Sequence, residues 1–349
     1  MSYRNHLYVG TAGHSVWFSE DGGVEFVHPN SHSGMYLEAR VWSLTSHVKT
    51  SDWVFAGTDM GVFRWSEKSA RWTSMVSPMQ DVWSIAQHPE KADVLIAGTR
   101  PGNFYRSEDG GLNWSFVSVL GMAQFSCVNM GPTRVTQILF DPRNSDWVWA
   151  SVEIGGIYFS QDAGRTWILR DHGLLSKDVH GVAVLPRKDG SAVLLATTNK
   201  GLHQSTDEGM TWEFKALQSP WQYTRAVQVH PANPSVVYLT NGNGPPGNDG
   251  KFFKSTNYGE TWQVVELPSE LNSTPWCIAV HHSDPDKLFV CTNLGQLFQS
   301  DDAGETFKRL AHEFGEIRAL HFKPMPEGSR QAEHAVTRAQ IKDIRQKTT

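Results

Sequence analysis

The chain has 349 residues, of which 39% are hydrophobic and 19% charged, with 30 glycines and a net charge of −5; this is the balance of a folded, loop-rich, soluble protein. No basic stripe runs through its body, which argues against a nucleic-acid partner. No stretch approaches the roughly 18 consecutive apolar residues of a membrane span, so no membrane association is expected.

The chain opens MSYRNHLYVGTAG, without the charged start and apolar run of a secretory signal, and a cytoplasmic location is the expectation. Its three cysteines, Cys127, Cys277 and Cys291, are odd in number, far apart and lack a CxxC pair. They read as reduced thiols, and no metal or cofactor is expected.

A repeat organises the rest. In chain order it reads SEDGGVEF (19–26), SEKSARW (66–72), SEDGGLNW (107–114), SQDAGRTW (160–167), STDEGMTW (205–212), STNYGETW (255–262) and SDDAGETF (300–307). Serine leads all seven. Asp or Asn holds the third place and Gly the fifth in every copy but the second, which has Lys68 and Ala70 there and is one residue shorter. The serines step by 47, 41, 53, 45, 50 and 45 residues, a period that suits one four-stranded blade. The chemistry of the box is that of a turn: the acidic side chain accepts backbone N–H groups, Gly supplies unusual backbone angles, and Trp or Phe starts the next strand and packs between blades. The box carboxylates are therefore expected to be structural.

Around each box the strands can be placed. HLYVGT (6–11) is a second strand with no first strand before it. First strands, nearest the axis, are VWSLTSH (41–47), VWSIAQHP (82–89), VTQILFDP (135–142), VHGVAVLP (179–186), RAVQVHP (225–231) and WCIAVHH (276–282). IRALHFKP (317–324) is of the same type but follows the last box, and is expected to complete the first blade. The fold class is thus all-β: a seven-bladed β-propeller of four-stranded antiparallel blades over residues 1–324. The polar tail 325–349 is expected to be a frayed end or a short helix after Gly328.

The S-x-D-x-G-x-T-W boxes resemble those of the Asp-box (BNR-repeat) propellers, which include sialidases, xyloglucanases, sortilin-type receptors and photosystem II assembly factors. The resemblance covers residues 6–324. It implies the propeller fold, and a site on the face opposite the boxes, where first strands begin. It does not carry over catalytic residues: sialidases have six blades, xyloglucanases have two propellers, and no N-terminal F/Y-R-I-P motif is present.

Aligning the first strands gives two rings at that mouth. One holds Arg40, Asp81, Arg134, Asp178, Tyr223, Thr274 and Glu316; the next holds Trp42, Trp83, Thr136, His180, Arg225, Trp276 and Arg318. Strand alternation allows one of them to face the channel, and the sequence does not choose. The second-to-third strand turns add Glu153, Asp59, Arg100, Asn199, Asn293 and His14. Arg40, Arg134, Arg225 and Arg318 suit carboxylate or phosphate groups. Trp42, Trp83 and Trp276, with Tyr223, offer flat surfaces for a sugar or aromatic ring. Asp81, Glu153, Asp178 and Glu316 could act as acid–base pairs and His180 as a proton shuttle. The plainer reading is that the charges neutralise one another and the tryptophans pack between blades.

Two functions follow as expectations. One is an enzyme acting on a small polar, anionic or sugar-like molecule in the mouth, a glycosidase-like hydrolase or a lyase. The other is a non-catalytic binding or assembly propeller recognising a protein.

Overall fold

The seven repeats fold into seven antiparallel sheets around one axis, in a computed structural model that describes residues 3–30, 32–49, 53–125 and 131–326. Blade 2 shows the plan: Val41–Thr45 innermost, then Trp53–Thr58, Gly61–Ser66 and Arg71–Ser74. The innermost strands of blades 3 to 7 are Val82–Gln87, Arg134–Phe140, Val179–Pro186, Tyr223–Val229 and Pro275–His281. Strand Ile317–Pro326 is the innermost strand of blade 1 and pairs antiparallel with Tyr3–Thr11, which closes the ring. The fourth strand of that blade is reduced to a single bridge, Phe18 to Val27. Among the described residues there is no helix, and the expected helix after Gly328 lies outside them.

The core is a set of clusters between neighbouring blades, as the alternation of apolar side chains requires. Trp167, from the box of blade 4, stacks on Phe104 of blade 3 at 4.3 Å. Trp212 of blade 5 joins one hydrophobic cluster with Trp149 and Phe159 of blade 4. Six boxes repeat one hydrogen-bond pattern. In blade 5, Ser205 donates to Asp207 at 2.7 Å, Gly209 N–H donates to the serine oxygen at 3.0 Å, and Thr211 N–H donates to Asp207 at 2.9 Å. The fourth and fifth box residues both take positive φ, 53° and 82° at Ala163 and Gly164, which is why Gly is favoured there. Hydrogen bonds from Asn113, led by its backbone N–H, hold the Asp109 carboxyl down at about 2. The box acids are turn acceptors.

The shortened second box has a different use. Glu67 is buried there and meets Lys323 at 3.3 Å, His6 at 3.4 Å and the Tyr8 hydroxyl, all from blade 1.

A second device recurs where inner strands end, on the box face. His88 Nδ1 accepts the N–H groups of Glu90 and Lys91, both at 3.1 Å, and His230 Nδ1 accepts those of Ala232 and Asn233, both at 3.1 Å. His281 Nδ1 faces Ser283 N–H in the same way. The imidazole must be neutral to accept. Burial lowers the pKa of His88 and of His230, and lowers that of His281 to about 4. A lowered folded pKa means that the unfolded chain binds protons first, so this stability is complete above the ordinary histidine value of about 6.5 and drains away below it. The urea midpoint is therefore expected to fall as pH drops from about 7 to 5. His88→Asn with His230→Asn, which keeps an acceptor but cannot titrate, should flatten that slope. An unchanged slope in the double variant would refute the assignment.

Candidate functional site

The face opposite the boxes is formed by the loops that enter the inner strands and by the second-to-third strand turns. Each inner strand carries a β-bulge just inside this face. The register skips Trp42, Trp83, Thr136, His180, Trp276 and Arg318 in six blades, and Arg225 with Ala226 in blade 6. A bulged residue leaves the ladder and its side chain is re-aimed. All of these but Ala226 form the second ring of the sequence alignment, and the seven residues of that ring line a central channel of about 320 Å³. That volume suits a small molecule.

The first ring stands behind and above it. Arg134 pairs with Glu153 at 3.0 Å, and Arg318 with Glu316. Asp81 accepts the indole N–H groups of Trp42 at 2.8 Å and Trp83 at 3.0 Å, with Arg100 at 3.8 Å. Burial raises the Asp81 pKa, and the two indole N–H groups oppose the rise. Thr274 is fully buried, and its hydroxyl donates to Gly244. Arg40 is exposed and does not line the channel; its backbone N–H donates to Asp59 at 3.0 Å.

Aromatic rings and guanidinium groups join into a belt. Trp42 and Trp83 stack at 4.3 Å and 14°. Arg134 lies over Trp83 at 4.7 Å; Arg225 and Arg318 lie over Trp276 at 4.0 and 5.0 Å; Arg318 is also 5.9 Å from Trp42. Trp83 and Trp276 are buried, so they position arginines. Trp42 is half-buried and keeps part of its surface on the channel. Burial draws the Arg318 guanidinium down from its ordinary value, with Glu316 opposing.

On the far wall, His180 Nδ1 is 2.6 Å from the Thr224 carbonyl and Nε2 is 3.4 Å from Asp178. The Thr224 carbonyl accepts from Nδ1 and so orients the ring, leaving Nε2 facing the Asp178 carboxylate at ion-pair distance. Tyr223 packs against His180 at 4.9 Å, and burial raises its hydroxyl pKa. The structure thus brings Asp81, Glu153, Asp178, His180, Tyr223 and Glu316 around one mouth with three of the four arginines.

The alignment of strand starts missed residues one step deeper. Cys277, Gln137 and Gln228 line the channel. Polar residues inside otherwise apolar inner strands were the available signal. Among the described residues, no group of three or more His, Cys, Asp or Glu is gathered to hold a metal.

No family model matches the chain. It is 22% identical to sortilin of Rattus norvegicus over 182 residues, 50% of this chain and 21% of that protein. It is 26% identical to the xyloglucanase Xgh74A of Acetivibrio thermocellus over 234 residues, 55% of this chain and 27% of that one. The matched stretches thus span about a quarter of these relatives or less. Among solved structures, an ancestral GH74 enzyme superposes with a TM-score of 0.62 at 17% identity, over 84% of this chain and 39% of that one. YCF48 from Cyanidioschyzon merolae superposes with a TM-score of 0.57 at 14% identity, over 86% and 98% of the two chains. The protein is a seven-bladed β-propeller, the fold it shares with these superposed structures.

Proposed function

We propose that the channel mouth captures a small anionic molecule, its carboxylate or phosphate group held by Arg225 with Arg318 and its ring laid against Trp42. The observation that carries this is the charge arrangement. Arg134 and Arg318 have carboxylate partners in Glu153 and Glu316. Arg225 has no carboxylate partner among the described residues and is fixed by the face of Trp276. A held guanidinium without a counter-charge, at the edge of a channel, is an anion acceptor. Likeness to GH74 propellers supports a hydrolase-like extension of this reading, with Asp178 and His180 as the groups that would move a proton.

A second reading, recognition of a peptide or protein, is favoured by the rim. Tyr36, Val76, Leu120, Phe125 and Leu175 are all exposed on loops of the mouth face. A YCF48 structure in complex with the D1 peptide has a TM-score of 0.55 to this chain.

Calorimetric titration with citrate and with inorganic phosphate tests the first reading. Arg225→Ala should weaken binding of the better probe roughly 10- to 100-fold, the worth of one charge-assisted hydrogen-bonded group. Arg40→Ala should leave it unchanged. Equal loss in both variants, or none in Arg225→Ala, would overturn the assignment.

A further inference from the structure

Cys277 and Cys291 lie 14 residues apart in the chain, and the antiparallel pairing of blade 7 sets them directly opposite each other. Opposed residues in such a pair have Cα atoms about 4.5–5.5 Å apart, inside the roughly 4.4–6.8 Å that a disulfide spans. Directly opposed residues of an antiparallel pair present their side chains on the same face, and Cys277 packs against the same cluster that holds Cys291. The two thiols differ in exposure. Cys277 is half-buried on the channel wall between Trp276 and Ile278, and its thiol donates to the Arg318 carbonyl at 3.4 Å. Cys291 is fully buried between blades 7 and 1, among Leu7, Phe289 and Phe322.

We propose that Cys277 and Cys291 form a reversible disulfide within blade 7, with Cys277 the thiol that meets the oxidant and Cys291 the thiol that resolves it. The oxidant is a small peroxide, hydrogen peroxide being the simplest. The Cys277 thiolate attacks one peroxide oxygen; the S–O bond forms, the O–O bond breaks, and the leaving hydroxide takes a proton to become water. The Cys291 sulfur, giving up its proton, then attacks Cys277; the S–S bond forms, the S–O bond breaks, and a second water leaves. Two thiols lose two electrons, and the peroxide is reduced to two waters. A dithiol reductant reverses the exchange.

The surroundings favour that division of labour. The hydrogen bond from Cys291 and the Arg225 and Arg318 guanidinium groups lower the Cys277 pKa, while burial raises that of Cys291 well above the ordinary thiol value. A thiol beside two arginines on a channel wall is reachable by a small oxidant. A thiol sealed between blades is reachable only by its neighbour. Bond formation also draws Cys277 off the carbonyl of Arg318, so oxidation acts on the strand that carries the arginine of the mouth. The disulfide itself does not depend on what the mouth binds.

The test uses the full chain with Cys127→Ser, which leaves these two thiols alone. Folded protein treated with a small excess of hydrogen peroxide should lose about 2 Da, yield one cross-linked peptide joining residues 277 and 291, and recover its mass with dithiothreitol. Adding Cys291→Ser should stop the reaction at a Cys277 sulfenic acid that dimedone traps. Adding Cys277→Ser instead should leave Cys291 labelled at a rate at least roughly tenfold lower than that of Cys277. Circular dichroism confirms that each variant is folded. Stepwise gain of oxygen without the cross-link, or labelling of Cys291 as fast as Cys277, would overturn the proposal.

Discussion

Lys323→Met is expected to destabilise the propeller by about 3–5 kcal/mol, the penalty of leaving a carboxylate buried without its cation. Lys323 is 2% exposed and sits on the closing strand; Glu67, 5% exposed, comes from blade 2. Burial alone would raise the Glu67 pKa, but His6, Lys323 and Tyr8 together hold it well below the usual carboxylate range. The sign of the linkage follows. A depressed folded pKa gives stability that is present above the unfolded value of about 4.3 and is lost as pH falls below it. Glu67→Gln should therefore cost stability at neutral pH and blunt the acid sensitivity of the protein. The double variant Glu67→Leu, Lys323→Met removes both charges and should regain most of the loss. Urea midpoints at pH 7 and pH 4 read all of these. A single-variant loss below about 1 kcal/mol, the size of an exposed pair, would show that the cluster does not lock the ring.

Trp83→Ala has the second large effect, because it acts on fold and mouth together. Trp83 is 8% exposed, stacks on Trp42, lies under Arg134 and donates to Asp81. Truncation should cost about 3–5 kcal/mol as a large-to-small core change. It should also leave Trp42 without its stacking partner, and so weaken citrate or phosphate binding in the protein that remains folded. Trp83→Phe separates the two roles. It keeps a ring for stacking and drops the indole N–H, costing on the order of 1 kcal/mol. Asp81 then keeps only the Trp42 donor, so its pKa, already raised by burial, should rise further. Nuclear magnetic resonance titration of Asp81 checks this; a pKa that falls in Trp83→Phe would contradict the arrangement.

Much of the fold was legible because the box is a local device. Serine, an acidic residue and glycine within five positions make one turn with their own hydrogen bonds, so the letters report the geometry directly. The closing strand was legible for a related reason: Ile317–Pro326 repeats the pattern of the other inner strands and has no other blade to join. The mouth was legible only in part. Both rings could be written down, but the choice between them rests on a bulge in every inner strand. No shared residue type marks it; the skipped residue is a Trp, Thr, His or Arg, with Ala226 beside Arg225 in blade 6. Arg40 was grouped with the other arginines by its position ahead of an inner strand. It stays outside because the residue that the bulge turns inward in that blade is Trp42. The odd second box looked merely decayed. The partner of its Glu67, Lys323, lies 256 residues away and no local pattern could point to it.

The register of the closing ladder has a mechanical consequence. Tyr3 faces Pro326 at one end, and Thr11 faces Ile317 at the other. The two strands therefore leave blade 1 side by side from the Tyr3–Pro326 end. A load pulling those exits apart falls on one pair of residues at a time, peeling the ladder like a zipper rather than shearing all its bonds at once. The Glu67 cluster grips Lys323, three residues in from that exit, so the first few pairs can yield to force while the buried cation acts as the stop.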